Sequence, residues 1–394
     1  MIAAIELAER DPLVVGLTTI LNQQRLDDWF AEHSSVPNPP SPVRVSYLRY
    51  KQGTSLTVGL QTRTGPTFGY AVSRDARPKL EKLVRQAPPG TVLAVDLEKL
   101  IMVAQPAADR DLPGIRRADT DRLRTLSYKP QRRWVGLADR SGIDSVLRCY
   151  RPADARRSLA RWPAAELANG FRIPEVLDHD RRLGVISTER LPGVPMRRST
   201  GDDQHGVALR AAGRALARWH QVAAPAPTRA ALGTPIHVAE QLIMLLPGRS
   251  RQIRQLADRL SGPQTAVDLG WCHGDFSVDQ LLISDQQPIA ILDWDRSGLG
   301  PLAADLANAD AAGWPAAGRA STQLPADSAP SGLSERGWRD LLDGYTQLRQ
   351  LPDDLDRHRA RAHFLRAAEP FRRAQPDWTV ALAANLDRVE ELLR

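Results

Sequence analysis

The sequence predicts an α+β protein in which a strand-rich first half precedes a helical second half. Apolar and polar residues alternate in several short runs between residues 43 and 150, which is typical of half-buried strands. Over residues 207–220 the apolar residues instead recur about every 3.6 positions, and Leu216 and Trp219 belong to that helical face. Runs of strands followed by runs of helices are typical of the α+β class.

The first 115 residues predict a separate mixed α/β domain. Residues 1 to about 35 are expected to be helical, because Leu26, Trp29 and Phe30 have helical spacing. Four prolines between positions 37 and 42 then interrupt the chain. Three strands are expected next, over residues 43–50, 55–60 and 67–72.

Short sequence words recur about 78 residues further along the chain. Val58-Gly59-Leu60 recurs as Val135-Gly136-Leu137, and Asp75-Ala76-Arg77 recurs as Asp154-Ala155-Arg156. The order is kept, and both regions predict three strands followed by a helix. Similarity at a fixed period indicates an internal duplication, but short words also match by chance, and the sequence leaves both explanations open.

Composition and charge exclude several classes of function. The 394-residue chain has a net charge of +7, but its arginines are spread along the whole length and interleaved with acidic residues. A nucleic-acid-binding surface concentrates its basic residues, so no nucleic-acid partner is expected. No apolar run of about 18 residues occurs, so no membrane-spanning helix is expected. An N-terminus without a signal-peptide pattern and a count of only two cysteines favour the cytoplasm.

Residues 272–293 contain groups that phosphoryl transfer requires, namely a carboxylate near the attacking hydroxyl and hard oxygen ligands for Mg²⁺. Asp275, in His273-Gly274-Asp275, can accept the proton of a substrate hydroxyl. Gln280 lies five residues later and offers a side-chain carbonyl. The apolar runs that follow predict a hairpin whose second strand ends at Asp293. Both carboxylates are therefore expected in one cleft.

These residues resemble the aminoglycoside phosphotransferase and choline kinase-like family, a branch of the protein-kinase-like fold. In that family, a His-x-Asp loop is followed five residues later by Asn, and an Asp follows a hydrophobic strand. Residues 300–307 resemble its Gly-x-Pro-x-x-Asp-Leu segment, and residues 185–193 resemble its hinge strand. The resemblance spans residues 122 to 310 and implies a bilobal fold. An antiparallel-sheet N-lobe is expected over 116–190 and a mostly helical C-lobe over 191–394, after a cap over 1–115 whose architecture resembles that of maltokinase-type sugar kinases.

The resemblance also implies a role for particular residues. Asp275 would be the catalytic base, and Gln280 and Asp293 would bind Mg²⁺ together with ATP. Adenine would lie against the hinge, which is formed here by Thr188, Glu189 and Leu191. His273 and Asp305 would hold the catalytic loop rather than contact the substrate.

Two departures from the family pattern leave an alternative open. The family places Lys on the third strand, paired with a helical Glu, whereas this chain has Arg148 there and Glu166 as its expected partner on the next helix. Arginine keeps the charge but has a planar fork instead of a point-like ammonium. Gln280 replaces the usual Asn. A nucleotide-binding module without turnover therefore remains an alternative to an active kinase.

The substrate expected from the resemblance is a small hydroxylated molecule: a sugar, an amino sugar, an aminocyclitol or an antibiotic. Its pocket would be built from the C-terminal helices, where four acidic residues are candidates to contact it: Asp310, Asp340, Asp343 and Glu369. No glycine-rich loop precedes the hinge. Residues 128–133 stand in its place, and Arg132 is expected to cover the nucleotide phosphates. The oligomeric state cannot be predicted.

Overall fold

A computed structural model describes residues 2–36, 42–117, 123–140, 143–196, 202–223, 228–262, 268–284, 287–312 and 333–394. Most of the predicted proline break, residues 37–41, therefore lies outside the described residues. The chain divides into two compact units. The first unit comprises Met1–Arg156, Val176–Glu189 and Pro370–Trp378, and the second comprises Arg157–Glu175, Arg190–Glu369 and Thr379–Arg394. The division into domains at residues 115 and 190 stays a prediction.

The described part of the first unit contains two five-stranded antiparallel sheets. The strands of the first sheet are β1 Arg44–Lys51, β2 Ser55–Thr62, β3 Gly65–Val72, β4 Val92–Asp96 and β5 Ile101–Ala104. Those of the second sheet are β6 Arg124–Lys129, β7 Arg133–Arg140, β8 Ile143–Tyr150, β9 Val176–Asp180 and β10 Val185–Glu189. Helices of this half of the chain are α1 Ile2–Arg10, α2 Leu17–Ile20, α3 Gln23–His33, α4 Arg77–Gln86 and α5 Pro152–Arg161. The helical character predicted for residues 1 to about 35, which form three helices, and the three strands after them are thus confirmed.

The two sheets repeat one topology. The first has the strand order β1-β2-β3-β5-β4 and the second has the order β6-β7-β8-β10-β9. In both, a helix, α4 or α5, follows the third strand. One apolar core, which includes Phe68, Tyr128 and Trp134, is shared by residues of both sheets.

The turn that leaves the first strand of each sheet is fixed in the same way. After β1, the carboxylate of Asp11 accepts hydrogen bonds from the hydroxyl of Tyr50 at 2.5 Å and from the backbone N–H of Gly53 at 2.7 Å. Gly53 has a φ of 63°, a left-handed conformation that glycine adopts readily.

After β6, Asp109 occupies the equivalent place. Its carboxylate accepts from the hydroxyl of Tyr128 at 3.0 Å and from the backbone N–H of Gln131 at 2.7 Å. Gln131 has a φ of 60°, so even the unusual backbone conformation of Gly53 is repeated. Matching strand orders and matching turn contacts support the duplication that the recurring words indicated.

The second unit is mainly helical. Its helices are α6 Asp202–Trp219, α7 Pro235–Leu245, α8 Ser250–Ser261, α9 Ala303–Ala311, α10 Glu335–Thr346, α11 Leu355–Arg366 and α13 Trp378–Leu392, with the short α12 Glu369–Arg372 at the boundary between units. Short strands form two small antiparallel sheets: β11 Val194–Pro195, β12 Leu269–Cys272, β13 Leu281–Ile283, β14 Ala290–Ile291 and β15 Gly298–Pro301. Trp219, at the end of the predicted helix α6, contacts Trp271 and Trp294 at the centre of the core. The predicted α+β class is confirmed, and no helix within the described residues is both long and apolar enough to cross a bilayer.

Candidate active site

The candidate catalytic loop begins where β12 ends, and its backbone path requires glycine. Gly274 has a φ of +83°, and a Cβ atom at this position would lie 2.3 Å from the carbonyl oxygen of Arg296. The loop therefore packs directly against the backbone that follows Asp293. This close approach explains why a glycine stands between His273 and Asp275.

Asp305, on α9, holds the backbone of this loop through hydrogen bonds. Its fully buried carboxylate accepts hydrogen bonds from the backbone N–H groups of His273 at 2.6 Å and Gly274 at 2.7 Å. A third bond comes from Nε2 of His220 at 3.1 Å, and the Nδ1 atom of that ring lies 2.9 Å from the hydroxyl of Tyr345. The expectation that Asp305 holds the loop is confirmed.

His273 also supports the loop, through hydrogen bonds of its ring. Its Nε2 atom lies 2.7 Å from the carbonyl oxygen of Leu292, and its Nδ1 atom accepts from the backbone N–H of Asp275 at 3.3 Å. The ring is fully buried against Trp294. An imidazole with both nitrogens in use positions its neighbours, so the bracing role predicted for His273 is also confirmed.

The Asp275 carboxylate lies between two arginines. Its Oδ1 atom accepts a hydrogen bond from Nη2 of Arg366 at 2.5 Å, and Nη1 of Arg296 lies 3.7 Å away. Burial alone would raise the pKa of Asp275, as would the nearby charge of Asp293. Arg296 and Arg366 outweigh both effects and hold this pKa below its usual range. Asp275 is therefore ionised at neutral pH.

A hairpin brings Gln280 and Asp293 together, as predicted. Strands β13 and β14 pair with Leu281 opposite Ile291, and the backbone N–H of Leu292 donates to the carbonyl of Gln280 at 2.8 Å. Asp293 follows directly and has a φ of 65°, which is rare for a residue with a side chain and is typical of functional sites. A carboxylate and an amide carbonyl are both hard oxygen ligands, so this pair fits Mg²⁺ chemically.

Sequence reasoning did not identify the arginines at this site. Arg296 is three residues after Asp293 and so has a local signal, but Arg366 comes from α11. Its guanidinium also donates to Glu369 at 2.5 Å and to the side chain of Asn308 at 3.4 Å. The charges of Glu369 and Asp275 outweigh burial and raise the pKa of Arg366, so this side chain is a permanent cation.

The four acidic residues predicted for the acceptor pocket occupy different environments. Only Glu369 is linked to Asp275, through the shared contact with Arg366. Asp310 is bonded to His363 and Arg359 in the interior of the second unit. Asp340 binds Arg210, whereas Asp343 is exposed.

The cofactor-binding residues predicted in the first unit lie on neighbouring strands. Arg148 on β8 is opposite Ile186 of β10, and its Nη1 atom donates to the hydroxyl of Thr188 at 2.5 Å. Both side chains are buried. Glu189 is the last residue of β10. Leu191, which belongs to the second unit, is buried. Their roles in nucleotide binding stay predictions.

The placement of Glu166 on the helix after β8 was wrong. That helix, α5, ends at Arg161, and Pro163 prevents its continuation because proline lacks the backbone N–H that a helix interior needs. Glu166 lies on a separate 3₁₀ turn, Ala165–Leu167, where its side chain is exposed. Whether it acts with Arg148 stays a prediction.

An antiparallel sheet before a helical region with a braced His-Gly-Asp loop is the arrangement of the protein-kinase-like fold. The APH phosphotransferase enzyme family matches residues 127–329, a little over half of the chain. The chain belongs to this phosphotransferase enzyme family. The match covers most of the region, residues 122 to 310, in which the sequence resembled aminoglycoside phosphotransferases and choline kinases.

Solved structures of similar proteins share low sequence identity with this chain. Macrolide 2′-phosphotransferase MphH from Brachybacterium faecium is 21% identical, with a TM-score of 0.44, over 68% of this chain and 93% of that protein. A choline/ethanolamine kinase family protein from Mesorhizobium loti is 17% identical, with a TM-score of 0.46, over 69% and 88%. The amicoumacin kinase hAmiN, solved with AMP-PNP, Ca²⁺ and Ami, is 15% identical, with a TM-score of 0.45, over 71% and 92%. Among curated proteins, no sequence matches this chain significantly.

Proposed function

We propose that this protein transfers the γ-phosphoryl group of ATP to a hydroxyl group of a small molecule: a sugar, an amino sugar, an aminocyclitol or an antibiotic. The observation that carries the proposal is the environment of Asp275. This carboxylate is kept ionised by Arg296 and Arg366, on a loop braced by His273 and Asp305. Membership of the phosphotransferase enzyme family supports the same reaction class.

In the proposed reaction, Asp275 orients the acceptor hydroxyl toward the γ-phosphorus. A bond forms between the hydroxyl oxygen and phosphorus, the bond to the β,γ-bridging oxygen breaks, ADP leaves, and the hydroxyl proton passes to Asp275. A carboxylate with a lowered pKa is a weak base. It is therefore suited to a loose transition state, in which positioning matters more than early proton removal.

Gln280 and Asp293 would hold Mg²⁺, which neutralises phosphate charge when bound with the nucleotide. The hairpin register and the left-handed backbone of Asp293 support this assignment. Adenine is proposed to lie against Thr188, Glu189 and Leu191.

The direct test measures ATP consumption with a panel of sugars, amino sugars, aminocyclitols and antibiotics, and compares the wild type with Asp275→Ala. We expect turnover on at least one acceptor and a loss of about 10²-fold or more in the variant, since a positioned base contributes about that much. Nucleotide binding should persist in Asp275→Ala. Full activity of this variant would remove Asp275 from the mechanism.

A nucleotide-binding module without turnover is the second candidate. One observation favours it: the Arg148 guanidinium, which would have to contact the nucleotide phosphates, is buried and bonded to Thr188. This candidate predicts that ATP raises the melting temperature while no acceptor in the panel is phosphorylated. Phosphorylation of any acceptor in the panel excludes this candidate.

A further inference from the structure

Five cationic side chains converge in the first unit, where β1 of the first sheet meets the turn between β6 and β7. Thr57, which pairs with Arg49 in the β1–β2 register, donates from its hydroxyl to the side-chain oxygen of Gln131 at 3.4 Å. Pro130 in the same turn packs near Gly59. The cations at this junction belong to β1, to α4, to the turn and to the residue after β8: Arg49, Lys51, Lys79, Arg132 and Arg151.

Few carboxylates among the described residues neutralise the positive charge of this group. Arg151 binds Asp111 at 2.9 Å, but no carboxylate in the described part of the chain forms an ion pair with Arg49. Burial and the charges of Arg151 and Arg132 together lower the pKa of Arg49. The charge of Arg49, followed by burial and by Lys79, lowers the pKa of Lys51. Neighbouring cations thus contribute to lowering both pKa values, and Asp111 raises each of them.

Two guanidinium nitrogens in this group are buried without a hydrogen-bond acceptor among the described residues. They are Nη1 of Arg49 and Nε of Arg151. Buried polar atoms in native proteins nearly always have a partner, and leaving one unpaired is costly. Lys51, Lys79 and Arg132 are exposed, and their charges act within this group: that of Arg132 lowers the pKa of Arg49, and that of Lys79 lowers the pKa of Lys51.

We propose that Arg49, Lys51, Lys79, Arg132 and Arg151 form a binding site for a small phosphate-bearing anion. Guanidinium groups bind phosphate oxygens through paired N–H donors, and ammonium groups add charge without a fixed orientation. A phosphate monoester or diphosphate supplies enough acceptors for both buried nitrogens and enough negative charge for the three exposed cations. A neutral or cationic ligand would leave the repulsion in place.

The site consists entirely of first-unit residues. It includes Arg132, which the sequence predicted to cover the nucleotide phosphates, so its binding has to be distinguished from nucleotide binding. Asp111 competes with a bound anion, because its carboxylate already forms an ion pair with Arg151. An incoming phosphate would have to share or displace that contact. Removing the Asp111 charge should therefore strengthen anion binding, whereas removing a cation should weaken it.

The test titrates the full-length protein with inorganic pyrophosphate by calorimetry at about 0.1 M salt, where screening over about 10 Å leaves close contacts intact. We expect saturable binding to one site in the wild type. Arg49→Gln should weaken it about tenfold or more, because it removes a charge-assisted hydrogen bond. Lys51→Gln should weaken it several-fold and Asp111→Asn should tighten it several-fold. The control, Arg63→Gln, removes an exposed arginine from the other end of the β2–β3 hairpin and should leave binding unchanged.

Asp293→Ala separates this site from the proposed nucleotide site. It should retain pyrophosphate binding while losing metal-dependent nucleotide binding. The proposal is overturned by an unsaturable titration, by equal losses in Arg63→Gln and Arg49→Gln, or by loss of pyrophosphate binding in Asp293→Ala. If Arg49→Gln does not fold, Lys51→Gln and Asp111→Asn decide the outcome, since both replace side chains at the solvent side, and opposite shifts are required of them.

Discussion

Arg366 donates a hydrogen bond to Asp275 across 91 residues of sequence, and it lies closer to the proposed catalytic carboxylate than Arg296 does. The Nη1 atom of Arg296 lies 3.7 Å from the same Oδ1 atom. The two arginines therefore fix both the ionisation and the direction of Asp275. Helix α11 contributes to the centre as directly as the His-Gly-Asp loop does.

Replacing Arg366 with Gln should change the pH dependence of catalysis. Arg366 lowers the pKa of Asp275, so its loss should raise that pKa, and the ionised form should be lost at a higher pH as the solution is acidified. We expect the acid limb of the kcat/KM profile to move to higher pH. The loss at neutral pH should stay below the roughly 10²-fold loss expected for removing the carboxylate.

Arg366→Lys is the informative companion variant, because it keeps the charge and should keep the acid limb near that of the wild type. Arg388→Gln, on α13, removes an arginine that forms a surface ion pair with Glu391 and should leave the profile unchanged. An acid limb that does not move in Arg366→Gln would show that this arginine does not act through the ionisation of Asp275.

Gly274→Ala should disrupt the catalytic loop. The new methyl group would meet the carbonyl of Arg296 at 2.3 Å, and alanine would have to adopt a φ of +83°. A strained residue of this kind costs about 1–3 kcal/mol. The displaced loop should also lower kcat by about 10²-fold, as misplacements of about 1 Å do.

Gly248→Ala is the matched control, because no atom lies within 4 Å of the added methyl group and its φ is not left-handed. Urea unfolding should show a change of less than about 1 kcal/mol for this variant. Similar stability and activity in both alanine variants would mean that the loop tolerates a side chain at position 274.

Local patterns predicted the parts of this protein that depend on neighbouring residues. The two-residue alternation of β1 to β3, the apolar face of α6 and the spacing from Asp275 to Asp293 are all encoded within short segments. The roles of His273 and Asp305 followed from the motif, and the structure places both as expected. Glu166 was misplaced because the helical pattern continued past Pro163, which ends the helix.

Contacts between distant segments could not be read from the sequence. Nothing in α11 marks Arg366 among many arginines as the partner of Asp275. The duplication was ambiguous for a related reason, since matching words are few while matching strand orders need the whole sheet. The pairs Tyr50–Asp11 and Tyr128–Asp109 supply the shared contact that the words alone did not.

Asp305→Asn should destabilise the protein and lower activity together. The carboxylate accepts bonds from two backbone N–H groups and from His220, whereas an asparagine presents an NH₂ group toward one of these donors. A lost bond to a buried charged group costs about 1.5–3 kcal/mol. We expect a loss of about that size in urea unfolding, and a reduced kcat because the loop that carries Asp275 is released. Asp343→Asn, at an exposed position on α10, should change neither quantity, and an unaffected Asp305→Asn would exclude the bracing role.

The contacts of Asp310 with His363 and Arg359 should make the stability of the second unit sensitive to acid. Burial would raise the pKa of Asp310, but hydrogen bonds from His363 and Arg359 outweigh it, so the pKa is lowered in the folded state. A lowered folded-state pKa means that the ionised carboxylate stabilises the fold above its unfolded pKa, about 3.9, and that this contribution is lost as the pH falls through the folded value.

Asp310→Asn should therefore be less stable than the wild type by about 2–4 kcal/mol at pH 7, because buried His363 and half-buried Arg359 lose a charged acceptor. The difference should begin to shrink below about pH 3.9, where the carboxyl of the unfolded wild-type chain takes up a proton, and should keep shrinking toward the lower folded-state value. Urea unfolding between pH 3 and pH 7 measures both quantities. Asp353→Asn, which replaces an exposed carboxylate just before α11, should follow the wild-type curve at every pH. A difference between the wild type and Asp310→Asn that stays constant across this range would show that the charge of Asp310 contributes nothing to stability.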